Sequence, residues 1–113
     1  MINAIKEKLK EIDSNVQHGI CKKGNTWDCL LIRKDRISKS KENRLDNNYY
    51  VSVTIVREDE IPEGTELLVE KKMKEAGFKR TETDAKYDYV VDTNEVTVEI
   101  CAMEFVKPTK RKG

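Results

Sequence analysis

The chain has 113 residues, 38% of them charged and 37% hydrophobic, and its 22 basic and 21 acidic side chains leave a net charge of +1. That length fits one domain with a single modest core, and charges that nearly cancel exclude a one-signed field that would by itself attract nucleic acid or an anionic membrane. The opening MINAIKEKLKEI lacks the apolar core of a signal peptide and no run approaches the ~20 apolar residues that span a bilayer, so a soluble intracellular protein is expected.

In the first segment Ile2, Ile5, Leu9 and Ile12 recur at helical spacing, with Val16 one turn further and Lys6, Glu7, Lys8, Lys10 and Glu11 on the other face. An amphipathic helix packed on one side follows. Gly19, Gly24 and Asn25 then punctuate the chain, and Trp27 to Ile32 is an apolar run of strand length. Next comes RKDRISKSKENRLDNN, residues 33–48, where Arg33, Lys34, Arg36, Lys39, Lys41 and Arg44 outnumber the acids Asp35, Glu42 and Asp46 and no glycine is present to cradle a phosphate. Connections inside a compact domain are usually ~4 to 6 residues, so this stretch reads as a long charged loop, a projecting and mobile arm that orders only in an assembly.

Tyr49 to Val56 alternates with a two-residue period rich in β-branched and aromatic side chains, the strongest strand signal in the chain. Glu58, Asp59 and Glu60 end it. A second helix is expected from Pro62, with Glu63 and Glu66 near its positive end and an apolar stripe of Thr65, Leu68, Val69, Met73 and Ala76. Gly77 is placed to stop that helix in the left-handed conformation. Tyr87 to Val91 and Val96 to Val106 are strand-like around Asp92 to Glu95, a hairpin loop, and the tail from Lys107 reads as disordered and basic.

The order α-β-β-α-β-β predicts an α+β fold: a four-stranded, mostly antiparallel sheet with both helices on one face, in a single domain over residues 1–106 followed by a tail over 107–113. Its core face is expected to carry Val51, Val53, Ile55, Val98 and Ile100 against Ile5, Leu9, Val69 and Met73.

Chemistry is harder to find. His18 is the single histidine and has no nucleophile motif beside it, which reads as a surface residue. Cys21, Cys29 and Cys101 are odd in number and lack ligand spacing, which predicts reduced thiols and no zinc site with His18. A metal-dependent nuclease of αβββαβ type would place a lysine two residues after a strand acid, and neither Glu99 nor Glu104 has one. The chain is therefore expected to be no enzyme and to bind no cofactor. For nucleic acid the candidate surface is the arm's Arg33, Lys34, Arg36, Lys39, Lys41 and Arg44 with the tail's Lys107, Lys110, Arg111 and Lys112, although neither segment interleaves aromatic residues for base stacking.

The opening helix MINAIKEKLKEI, the strand and helix of YYVSVTIVRED and EIPEGTELLVEKKMKEAGFKR, and the closing hairpin KYDYVVDTNEVTVEICAMEFVK together resemble the tail terminator (tail completion, neck, head–tail joining) proteins of tailed phages and prophages. The resemblance implies a structural virion protein that forms a homo-oligomer, a hexameric ring, capping the tail tube and meeting the head connector. It implies residence in the virion, with assembly in the bacterial cytoplasm, and gives the charged arm the place of a loop facing the tube or its lumen. DNA contact is possible for such a subunit and not required. The alternative drawn from the residues is a small nucleic-acid-binding regulator using the basic arm and tail.

Overall fold

The computed structural model describes residues 1–39 and 46–110. The helix α1 (Ile2–Leu9) is shorter than its periodicity suggests. Beyond its last turn, Asp13 accepts a hydrogen bond at Oδ1 from the Asn15 amide (2.9 Å) while the Asn15 side chain donates to the Asp28 carbonyl (2.8 Å). That turn aims the β-branched Val16 into β1 (Val16–His18) instead of a further helical turn.

From β1 a crossover over residues 19–28 leads to β2 (Cys29–Lys39), which pairs parallel to β1 with Val16 opposite Leu30. The strand β3 (Asp46–Glu58) runs antiparallel to β2. After it come α2 (Thr65–Glu75), the short β4 (Lys79–Arg80), β5 (Lys86–Val91) and β6 (Thr97–Lys110). The α+β class and the mostly antiparallel sheet are as expected, but the sheet has six strands, in the order β1-β2-β3-β6-β4 with β5 also on β6. Sequence periodicity missed β1 and β4 because strands of three and two residues are too short to display a period.

The charged arm is the main correction. Residues 33–39 continue β2 and residues 46–48 open β3, paired as Arg33 with Ser52, Ile37 with Tyr49 and Lys39 with Asn47. The tail is corrected likewise, since Lys107 to Lys110 belong to β6 and pair with Tyr49 to Asp46. Polar side chains do not prevent a ladder, because backbone amides and carbonyls satisfy one another whatever their side chains.

Helix packing covers one face of the sheet. Ile5 and Leu9 of α1 and Thr65, Val69 and Met73 of α2 are buried there, against Leu30 and Ile32 of β2, Val51, Val53 and Ile55 of β3, and Cys101, Met103 and Phe105 of β6. The expected phase of β6 is thus corrected by one residue. Val98 and Ile100 point to the opposite face, where Val98 is buried with Cys29 and Val56, and Ile100, Cys21 and Trp27 pack on them. Leu68, expected on the buried stripe of α2, is half exposed.

Two terminations carry this arrangement. Gly77 (φ 89°) ends α2 as expected: its amide donates to Lys74 O (2.9 Å) and the Phe78 amide to Met73 O (2.8 Å), which folds the buried Phe78 back on the core. At the far end, Asp92 accepts hydrogen bonds from Trp27 Nε1 (3.0 Å) and from the amides of Asn94 and Val96, tying the crossover to the β5–β6 turn.

Phe105→Ala is expected to lower stability by about 3–5 kcal/mol and Ala102→Ser, on the exposed side of the same strand, by less than about 0.5 kcal/mol, read as urea midpoints. Equal costs would mean that the phase of β6 is wrong. The bond from Trp27, then those from Val96 and Asn94, hold the Asp92 carboxyl down at about 2. A depressed carboxyl stabilises the fold above its ordinary value near 3.8 and loses that contribution as pH falls toward 2. Fluorescence of Trp27 should therefore change over pH 4 to 2 in the parent and show no Asp92-linked step in Asp92→Asn.

Candidate functional site

Beyond the helix-backed core, β2, β3 and β6 run on together as a three-stranded arm. The described residues extend over 53 × 24 × 24 Å, and the radius of gyration of 15.2 Å exceeds the about 13 Å of a compact chain of this length. A register shift between Lys34 and Arg36 leaves Asp35 as the extra residue of a bulge. Bulges kink a strand and re-aim its side chains. Here Lys34 lies opposite Val51 on the helix side, whereas Arg36 lies opposite Tyr50 on the other.

The bulge builds a compact charged cluster. The Arg36 guanidinium sits 3.8 Å from the centre of the Tyr50 ring and donates from Nη1 to Asp35 Oδ2 (2.7 Å) and Glu104 Oε2 (3.0 Å). Thr83 Oγ1 donates to Glu104 Oε1 (3.3 Å). Its hydrogen bond with Glu104 pushes the Asp35 carboxyl above the ordinary carboxylate value. Burial opposes ionisation of Glu104, yet hydrogen bonds from Asp35, Arg36 and Thr81 outweigh it and hold that carboxyl low. Asp35 thus keeps its proton to higher pH while Glu104 stays ionised against Arg36. Beside the cluster a groove of about 670 Å³ opens among Arg36, Tyr50, Arg80, Thr83 and Glu104.

The helix side of the arm is less polar than its sequence suggested. A notch of about 340 Å³ lies between Met1, Lys34, Ile37 and Tyr49, in which Ile37 is 62% exposed and Met1 48%. Ile37 is thus an exposed apolar side chain on a paired strand. Sequence reasoning passed over Ile37 because one apolar residue among charges gives no period.

The expected cations fall into three groups. Arg33 and Lys34 are exposed and form no ion pair with a described residue. Arg36 is engaged as above, and Lys107 lies over Phe78 (5.6 Å to the ring centre) with Nζ donating to the Ala76 carbonyl (3.4 Å), where it supports the end of α2. Lys39 and Lys110 take part in the ladder through Asn47 and Asp46. Lys41, Arg44, Arg111 and Lys112 lie outside the described residues. Strand pairing also sets Tyr49 and Tyr50 beside Ile37 and Arg36, an aromatic–cation neighbourhood that the arm's own composition did not show.

A second surface lies along β5, all of whose residues are exposed. Tyr87 donates its hydroxyl to Glu66, which raises its ionisation well above the ordinary tyrosine value, and the neighbouring Glu99 raises that of Tyr89. The buried Glu99 also accepts a hydrogen bond from the Ile61 amide (2.8 Å). This carboxylate has an architectural task, tying the β3–α2 connection to β6. Among the described residues no group of three or more His, Cys, Asp or Glu is placed to hold a metal ion, and His18 is exposed on β1.

A raised carboxyl stabilises a fold below its ordinary value and loses that contribution as pH rises through its folded value. Glu104→Gln removes the cause, so Asp35 is expected to titrate at lower pH in this variant, followed by side-chain carboxyl NMR. Stability at neutral pH should change by less than about 1 kcal/mol, as is usual for exposed ion pairs. An unmoved Asp35 titration would show that the two carboxyls do not interact. No protein-family model matches the chain, and no curated protein is similar to it in sequence.

Proposed function

We propose that the protein is a structural assembly subunit of the phage tail terminator kind, which joins copies of itself into a ring capping a tail tube and meeting the head connector. The observation that carries this reading is the three-stranded arm, which holds the exposed Ile37 beyond the core, with the exposed Arg33 and Lys34 at its base, on backbone pairing rather than on a loose loop. A strand-paired arm with an apolar notch and cations that form no ion pair with a described residue suits docking on a neighbouring subunit, since its backbone is already ordered and less chain entropy is lost on contact. Ring contacts are heterologous, so unlike patches must complement one another, and a chain with 22 basic and 21 acidic side chains can supply both signs. The proposed setting is the virion and, during assembly, the cytoplasm of the bacterial host, with no catalytic step.

The neighbourhood of Tyr50 and Arg36, flanked by Arg33 and Lys34, favours a second reading, a nucleic-acid-binding regulator that stacks bases on the arm. The two separate in one set of measurements. Sedimentation velocity on the parent should show a discrete species larger than the monomer that grows with concentration. Ile37→Asp, and separately Arg33→Glu with Lys34→Glu, should shift the distribution toward monomer while leaving Tm within about 3 °C, because these side chains are exposed. A monomer at every concentration, with binding to duplex or single-stranded DNA that weakens steeply with salt, would reject the ring and support the regulator.

A further inference from the structure

Cys21 and Cys29 are eight positions apart in the chain, yet their sulfur atoms lie 3.1 Å from one another. The crossover between β1 and β2 brings them together: it folds back over the sheet face opposite the helices, with Cys21 and Trp27 packed on Cys29, Val56 and Val98. Both thiols are free. A disulfide needs sulfur atoms at about 2.05 Å, so bond formation requires an approach of about 1 Å, within reach of side-chain rotation and a small movement of the crossover. Cys101 is also free but is buried in the core on the other side of the sheet.

We propose that Cys21 and Cys29 are a redox-active thiol pair that closes to an intramolecular disulfide when the protein meets a peroxide or a small-molecule disulfide. This proposal is independent of the assembly reading. Cys21 is the partly exposed member and the one that oxidant reaches, whereas Cys29 is fully buried, and burial together with its neighbour Cys21 keeps it in the thiol form. With hydrogen peroxide, the Cys21 sulfur attacks one peroxide oxygen, the O–O bond breaks, and sulfenic acid and one water result. Cys29 sulfur then attacks Cys21 sulfur, the S–O bond breaks, and the hydroxyl leaves as a second water with the Cys29 proton. Two thiols are oxidised by two electrons and one peroxide is reduced to two waters. The product is a small covalent ring that encloses Trp27 and pins the crossover to the first residue of β2. In a reducing environment the pair is open, and in an oxidising one it closes.

The test uses the full chain at pH 8, treated with hydrogen peroxide or oxidised glutathione, then denatured, alkylated and analysed by mass spectrometry. The expected result is a loss of two hydrogens in mass, one alkylatable thiol instead of three, and a linked pair of tryptic peptides containing Cys21 and Cys29. Tm should rise by at least about 5 °C, as a cross-link across a short loop constrains the unfolded chain, and dithiothreitol should reverse both changes. In Cys21→Ser the linkage and the Tm rise should both vanish while Cys29 and Cys101 remain alkylatable. Three alkylatable thiols after oxidation, a link through Cys101 or between chains, or a glutathione adduct or sulfinic acid on Cys21 with Cys29 still reduced would each overturn the proposal.

Discussion

The structure depends on one continuous ladder, the pairing of Asp46 to Glu58 in β3 with Lys110 to Val98 in β6. Because side chains alternate across a strand, the register of this ladder decides which residues of both strands face the helices. With Val53 opposite Met103 and Val51 opposite Phe105, the large side chains meet beneath α1 and α2, and Glu99 arrives where the Ile61 amide can satisfy it. A slip of one residue would turn Phe105 to solvent and leave a buried carboxylate without its donor. The same ladder carries the arm, since β3 is paired on its other edge with β2 as far as Lys39.

Much of this was legible in the chain. The stripe of Ile5 and Leu9, the alternation of Val51, Val53 and Ile55, the β5–β6 hairpin and the stop at Gly77 each follow from a local period or a local backbone demand. The phase of β6 was not, because both of its faces are apolar: Val98, Ile100 and Ala102 compete with Cys101, Met103 and Phe105, and Glu99 argues locally for the wrong choice. Only the partner strand and the Ile61 amide resolve it.

The candidate site was half legible for a related reason. Charge marked residues 33–48 as a feature, but composition measures burial, and the arm is held by backbone pairing that composition does not report. The bulge at Asp35, the stacking of Arg36 on Tyr50, the exposed Ile37 and the closeness of Cys21 to Cys29 all arise between segments distant along the chain or turned on one another. Lys107 illustrates the converse. It reads as a free tail cation and serves instead at the end of α2.

The arm is a paired extension of the sheet, with β2, β3 and β6 laddered together beyond the helices. Native-state amide hydrogen exchange on the isolated protein tests this directly, comparing peptides over residues 33–39 and 104–110 with the core peptide over 51–56. Both arm peptides should be protected well above the unstructured rate, with protection weakening toward the far end. Exchange of residues 33–39 and 107–110 at the unstructured rate, while residues 51–56 remain protected, would contradict it.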